Sequence, residues 1–164
     1  MTLAIDLARD RDELVWRVRN SSARSVWAYL FVPELINGAL SFAIDSAWLE
    51  AEDGVLLVRK VDTPLPDDID ADNRIRSGAV LLSAGAAHEG RLRLGDSVRL
   101  RVPYRSVKAQ AFTVKRVVME VGWVPVRDEH PKMMLRADGH EFAYVLAEQE
   151  PGGQHFARST ELVW

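Results

Sequence analysis

The sequence contains no cysteine, which excludes disulfides, thiolate metal ligands and a thiol nucleophile. It has no run of about 20 apolar residues, and its amino-terminal stretch lacks a basic leader followed by an apolar segment. It also has little net charge, −3 from 21 basic and 24 acidic residues, so long-range attraction favours neither nucleic acid nor an anionic membrane. These absences predict a cytoplasmic protein whose partners include neither nucleic acid nor membrane.

Recognisable catalytic patterns are missing as well. No serine lies in a nucleophile-elbow context, no glycine-rich phosphate loop occurs, and no two carboxylates are spaced so that one is assignable as acid and the other as base. None of the scattered histidines has a second ligand-type residue at i+2 or i+4 on a convincing strand or helix; they are His88, His130, His140 and His155. Nothing positive in the sequence therefore indicates an enzyme or a metal site.

What the sequence does contain is an ordinary globular composition. The chain has 164 residues, of which 48% are hydrophobic and 27% charged, close to the average of folded soluble proteins. This length and composition predict one domain over residues 1–164 with a sizeable core.

The stretch from Glu13 to Pro33 organises the fold prediction. In its first arm Leu14, Trp16 and Val18 alternate with polar or smaller positions, which is typical of a strand with one covered face. In its second arm both alternating sets are apolar, which predicts a central strand over Val26 to Val32. The polar residues between the arms favour a turn.

The rest of the chain adds further alternating segments with turn signals at intervals of roughly 8–12 residues, which predicts an all-β sandwich or barrel. One segment is ambiguous, because apolar residues recur every four positions from Leu35 to Trp48, as they do on a helix. Asn37-Gly38 inside this segment favours a loop with at most a short helix, followed by a strand near Ala47 to Ala51.

Two short passages resemble bacterial immunoglobulin-like sandwiches. One is Val18-Arg19-Asn20-Ser21-Ser22, a strand that runs into Asn and small hydroxyls before the next strand. The other is the order of Ala84-Gly85, an alternating strand and Pro103-Tyr104. The resemblance implies an immunoglobulin-like Greek-key β-sandwich, without the paired cysteines of antibody domains, and it carries no functional residues with it.

An acidic cluster lies in the predicted long exposed loop from Asp62 to Gly78. Asp68, Asp70 and Asp72 have the alternate spacing of a calcium loop. Calcium loops, however, have Gly and Glu where this sequence has Asn73 and Ala79. We therefore expect a solvated acidic loop and no cofactor, with a calcium-assisted carbohydrate- or lipid-binding module as an alternative.

An arginine row follows the clearest alternation in the chain. Arg91, Arg93, Arg99 and Arg101 are predicted on one face, where guanidinium groups could contact carboxylates or phosphates. The overall acidic balance favours a solvated face instead.

The remaining candidates for partner binding are the rings of Trp27, Tyr29 and Phe31, which share one face of the predicted central strand. Three bare rings would form a larger apolar patch than soluble monomers usually expose. The segment Glu34 to Asp45 and the carboxyl-terminal strands are candidates to cover them. Our hypothesis is that part of the patch is covered between chains, which gives a homodimer or a partner-binding site. The sequence thus predicts a non-catalytic protein-interaction module of unknown partner, with a small-molecule enzyme whose pocket lies within the β fold as a second alternative.

Overall fold

The computed structural model describes residues 2–37, 39–63, 76–104, 111–130, 134–137, 139–145 and 153–164. Regular structure within these ranges is entirely β, which confirms the all-β prediction. A search of the described residues finds no helix long and apolar enough to cross a membrane.

The described residues contain the following strands in chain order. Their bounds are β1 Leu3–Asp10, β2 Glu13–Asn20, β3 Val26–Ile36, β4 Ala39–Ala43, β5 Trp48–Glu52, β6 Val55–Lys60, β7 Gly78–Leu82, β8 Ala87–Arg93, β9 Ser97–Arg99, β10 Ala111–Thr113, β11 Arg116–Pro125, β12 Leu135–Ala137, β13 His140–Phe142, β14 His155–Arg158 and β15 Leu162–Val163.

A small sheet has the order β1-β2-β8, with both pairs antiparallel. Leu14, Trp16 and Val18 of β2 are completely buried, and the alternate positions Arg17 and Arg19 are exposed. The period-two prediction for this arm is confirmed, because one face of the sheet covers the core and the other meets water.

A larger sheet has the order β4-β3-β11-β6-β5, with β7 paired to β3 and with β14 and β15 paired to β11. Strand β11 runs antiparallel to β3 and parallel to β6. Both faces of Val26 to Val32 are buried, so the prediction of a central strand is confirmed. Side chains of the two sheets share one core cluster, an arrangement consistent with a β-sandwich.

The ambiguous segment after Pro33 forms a β-hairpin, and the prediction of a loop with at most a short helix was wrong. Strand β3 continues through Pro33 to Ile36, Asn37 takes a φ of 52° at the turn, and β4 returns along β3. A repeat of four residues is also twice the strand repeat, so it places residues on one face of a strand as well as of a helix. The strand predicted next is confirmed as β5.

Two long alternations are divided in the structure. The alternation from Phe112 to Val124 predicts one long strand, but the structure divides it into β10 and β11, where the Val114 N–H donates to the carbonyl of Asp96 at 2.9 Å. The arginine-containing alternation breaks at Gly95, which has a φ of 66°, so that β8 and β9 belong to different sheets. The sequence Glu52-Asp53-Gly54 predicts a hairpin turn, and the structure confirms it, with φ values of 50° at Asp53 and 77° at Gly54.

Asn20 holds two connections together at one end of the fold. Its side-chain amide is buried and donates to the carbonyls of Arg24, Leu82 and Ser83 at 2.7, 2.9 and 3.2 Å. Its Oδ1 accepts from the backbone N–H of Ser22 at 3.0 Å. The turn before β3 is thereby tied to the end of β7.

We expect Asn20→Ala to lower the free energy of unfolding by about 2 kcal/mol, because it leaves buried carbonyls without donors. Urea unfolding of the variant beside Ser83→Ala, an exposed residue of the same region, measures the effect. Asn20→Asp keeps the acceptor and loses the donors, so it should be destabilised too. Equal midpoints for parent and Asn20→Ala would contradict this role.

Candidate interaction surface

A row of charged side chains crosses the solvent-facing side of β5, β6, β11 and β14, which we call the outer face. Arg59 of β6 lies opposite Glu120 of β11, and Glu120 lies opposite Arg158 of β14. Residues directly opposite each other on neighbouring strands share a face. The register therefore places the three charges in one line with alternating sign.

Glu120 is the centre of this row. One of its carboxylate oxygens accepts from Arg59 Nε at 2.9 Å and the other from Arg158 Nε at 3.1 Å. Arg59 also donates to Glu50 at 3.0 Å, and Arg158 Nη2 lies 3.3 Å from a carboxylate oxygen of Glu52. Burial lowers the pKa of Arg59, but its hydrogen bonds and charge interactions with Glu50 and Glu120 outweigh burial and raise it overall.

Two adjoining recesses open on the outer face, of about 330 and 400 Å³. They share Glu52, Leu57 and Arg158. Leu57 and Val118, which are opposite each other in register, supply an apolar base, and the charged row surrounds it. Such a surface combines apolar contact area with fixed charges of both signs.

An exposed aromatic ring lies beside the row. Phe156 of β14 is opposite Gly122 and two residues before Arg158, so Phe156 and Arg158 share the outer face. Its relative exposure is 52%, high for a residue that usually packs inward. Aromatic and arginine side chains are the residues that most often dominate the energy of protein interfaces.

The three rings proposed for partner binding are covered by the chain itself. Trp27 is 5% exposed, and Tyr29 and Phe31 are completely buried. Trp27 and Tyr29 pack with Val124 and Val145, and the Tyr29 hydroxyl donates to the Val145 carbonyl at 2.8 Å. Phe31 stacks on Phe142 with ring centroids 4.9 Å apart. These rings therefore offer no open surface, and we place the candidate site on the outer face instead.

The four arginines expected in one row are separated. Arg91 and Arg93 are exposed on the small sheet and pair with Asp10, Glu13 and Asp12, and Arg99 is exposed on β9.

Arg101 turns towards the large sheet. It donates to Glu34 and Ser46 and lies over the Trp48 ring at 4.6 Å. The prediction that the four arginines share one face was wrong, because the break at Gly95 ends the alternation. The four guanidinium groups therefore do not form a common face for an anion.

The described residues include all four histidines but only the two ends of the acidic loop. Asp68, Asp70 and Asp72 lie outside the part of the chain that the structure describes. His88 and His140 do come together, with ring centroids 5.0 Å apart. Burial, the His140 ring and Lys60 together lower the pKa of His88. Among the described residues no group of three or more His, Asp or Glu could hold a metal ion.

Lys60 is a buried cation that the sequence analysis overlooked. Its side chain is completely buried, and Nζ donates to the carbonyls of Leu30, Ile44 and Ser46 at 2.9, 2.7 and 2.6 Å. Leu30 lies at the register shift between β3 and β7, and Ile44 and Ser46 lie between β4 and β5. Lys60 therefore satisfies carbonyls where the strands diverge.

Burial lowers the pKa of Lys60 to about 7, against the opposing charges of Asp45 and Glu34. An amine with a pKa near neutrality is a potential nucleophile. In this structure, however, Nζ is enclosed and directed to three backbone carbonyls and lies 5.0 Å from the centre of the Trp16 ring. The arrangement indicates a structural role.

The residues of the outer face had only a weak signal in the sequence. Arg59 stands next to Lys60 at the end of the otherwise apolar β6, and Glu120 interrupts the apolar interior of β11. Such interruptions mark a polar position on one face. Their mutual contact depends on the parallel pairing of β6 with β11, which bring together residues 61 positions apart.

Comparisons of this chain with known protein families, curated proteins and solved structures give no match.

Proposed function

We propose that this protein is a non-catalytic protein-binding module and that the outer face is its contact surface. The proposal rests on the two adjoining recesses, in which Leu57 and Val118 form an apolar base that charged side chains surround. Phe156 and Arg158 supply an aromatic ring and a guanidinium group side by side at its border. Interfaces concentrate their binding energy in a few residues of these types.

The charged row supports binding because it is already ordered. Arg59 and Glu120 are held by several ion pairs, so a partner need not immobilise them, and the entropic cost of association is reduced. Arg158 and Glu52 remain more than half exposed in their side chains. They are therefore available to a partner while their positions are constrained.

We further propose that the β-sandwich is immunoglobulin-like, with Greek-key topology. An immunoglobulin-like Greek-key sandwich is supported by the two sheets that share a core and by the turn built around Asn20. Such sandwiches commonly serve as binding modules, which is an argument from analogy. A cytoplasmic location and the bacterial resemblance stay predictions, as does a calcium-assisted module built on the acidic loop.

The proposal predicts that peptides selected for binding will depend on the outer face. A displayed library of random peptides is panned against the parent protein, and the selected peptides are measured by fluorescence anisotropy. We expect the double variant Phe156→Ala with Arg158→Ala to weaken their binding by tenfold or more. The expected size follows from the loss of two hot-spot side chains at about 1 kcal/mol or more each.

A matched control removes the same kinds of group elsewhere. Leu81 is an exposed apolar residue on β7 and Arg93 an exposed arginine on β8, and Leu81→Ala with Arg93→Ala should leave the affinities unchanged. Thermal unfolding of both double variants confirms that each is folded. Failure to select any peptide, or peptides that bind the outer-face variant as well as the parent, would overturn the proposal.

A further inference from the structure

The outer face has an acidic surplus at its border. Three guanidinium groups lie on or beside it, those of Arg59, Arg116 and Arg158, and each is within 3.5 Å of a carboxylate oxygen. Around them are five carboxylates, Glu50, Glu52, Asp53, Glu120 and Glu161. Only Glu120 lies deep in the row, with its side chain 12% exposed.

Three acids and two arginines of this set are well exposed. Glu52 has a side-chain exposure of 63%, Glu161 of 42%, and Asp53 is exposed at the tip of the hairpin. Arg59, in contrast, is only 27% exposed and is engaged by two carboxylates. The side chains of Arg158 and Arg116 are 52% and 44% exposed, but the carboxylates outnumber the guanidinium groups by five to three. A ligand that approaches the recesses therefore meets a surface of net negative charge.

From this arrangement we infer that the outer face binds a basic protein segment that carries an aliphatic or aromatic side chain between its lysines or arginines. The cations contact Glu50, Glu52 and Asp53, and the apolar side chain packs on Leu57 and Val118. This inference rests on the proposed function, since it names the partner of the same surface.

Two other occupants fit the charges less well. An acidic segment would approach five carboxylates and only three arginines, and like charges at an interface are unfavourable. A second copy of this chain in a twofold contact would place the acidic border against itself, because such contacts pair identical surfaces. The basic segment is the occupant whose charge complements the border.

Three synthetic peptides test the inference directly. The first consists of lysine, leucine and glycine, the second has glutamate in place of lysine, and the third has glycine in place of leucine. We expect the first to bind tenfold or more tightly than each of the others in fluorescence anisotropy. Its binding should weaken as salt is raised from about 0.05 M to about 0.5 M, because exposed charges are screened.

Charge-reversal variants separate a specific site from the general charge of the protein. Glu50→Lys with Glu52→Lys should reduce binding of the first peptide by tenfold or more. The control, Glu89→Lys with Glu141→Lys, makes the same change in net charge at two exposed glutamates that are also paired with arginines. It should leave at least a third of the parent affinity.

The outcomes distinguish the inference from the proposed function. Selected library peptides that depend on Phe156 and Arg158 and yet are acidic or uncharged would overturn the inference of a basic partner segment. That result would still support the outer face as a binding surface. An equal loss of affinity for the first peptide in both charge-reversal variants would also overturn the inference, since binding would then depend only on the net charge of the protein. A parent dimer in light scattering that Phe156→Ala with Arg158→Ala converts to monomer would identify a second copy as the occupant and overturn the inference.

Discussion

The variant Lys60→Met is expected to lose stability relative to the parent as the pH rises from 7 to 9, by about 2–3 kcal/mol. Burial holds the pKa of Lys60 at about 7 in the folded state, below its ordinary value of 10.5. Between these two values the unfolded chain binds a proton that the folded chain does not. Stability of the parent therefore rises with pH in this window, and the methionine variant lacks that gain.

Below pH 7 the lysine is protonated in both states, so the cost of burying its charge is fully present and does not vary with pH. Urea unfolding of parent and variant at pH 6, 7, 8 and 9 measures the difference, in which the titration of other groups cancels. Lys115→Met replaces an exposed lysine and should give a curve parallel to the parent.

Curves of parent and Lys60→Met that run parallel from pH 7 to 9 would contradict the lowered pKa. They would show that the three carbonyls at 2.6 to 2.9 Å stabilise the ammonium group enough to offset its burial.

Trp16→Ala should lower the free energy of unfolding by about 3–5 kcal/mol, as truncation of a buried large aromatic does. The ring is completely buried in the core between the sheets. It lies near Lys60 Nζ on one side and stacks with His88 at 6.4 Å. Denaturant unfolding measures the loss, and Phe156→Ala, an exposed phenylalanine, should cost less than about 1 kcal/mol. A loss below about 1 kcal/mol for Trp16→Ala would contradict the assigned face of β2.

A second substitution tests the same contact by coupling. Gly90 lies opposite Trp16, and a Cβ there would be 2.3 Å from Cζ2 of the ring. Gly90→Ala alone should therefore destabilise the protein by forcing the ring to move. In the Trp16→Ala background the same change should cost much less, so the double-mutant cycle should show a clear interaction energy. Strict additivity would mean that ring and glycine do not touch.

Several features of the fold could be predicted because their causes are local. The faces of β2 follow from the alternation of Leu14, Trp16 and Val18, since side chains on a strand point to opposite sides in turn. The turn at Asp53-Gly54 follows from two residues that accept positive φ. The burial of both faces of β3 follows from its unbroken apolar run, which an exposed strand would not carry.

The candidate site could not be predicted, because its residues meet only through strand pairing. Nothing local to Arg59 or Glu120 indicates that β6 and β11 run in parallel, or that Arg158 continues the row from β14. The separation of Arg101 from Arg91 has a similar cause, since one break at Gly95 sends the next strand to another sheet.

By itself the sequence determined that this protein is an all-β fold and which side chains of its best-patterned strands lie inside. Only the tertiary structure decided which surfaces remain open. Trp27, Tyr29 and Phe31 share an apolar pattern that equally suits an interface and a core, and they are buried because distant residues around Phe142 and Val145 pack on them. Lys60 reads as an ordinary surface charge, and it is buried because carbonyls left by diverging strands surround it. Burial of a side chain depends on what packs against its strand from elsewhere in the chain, which local periodicity does not encode.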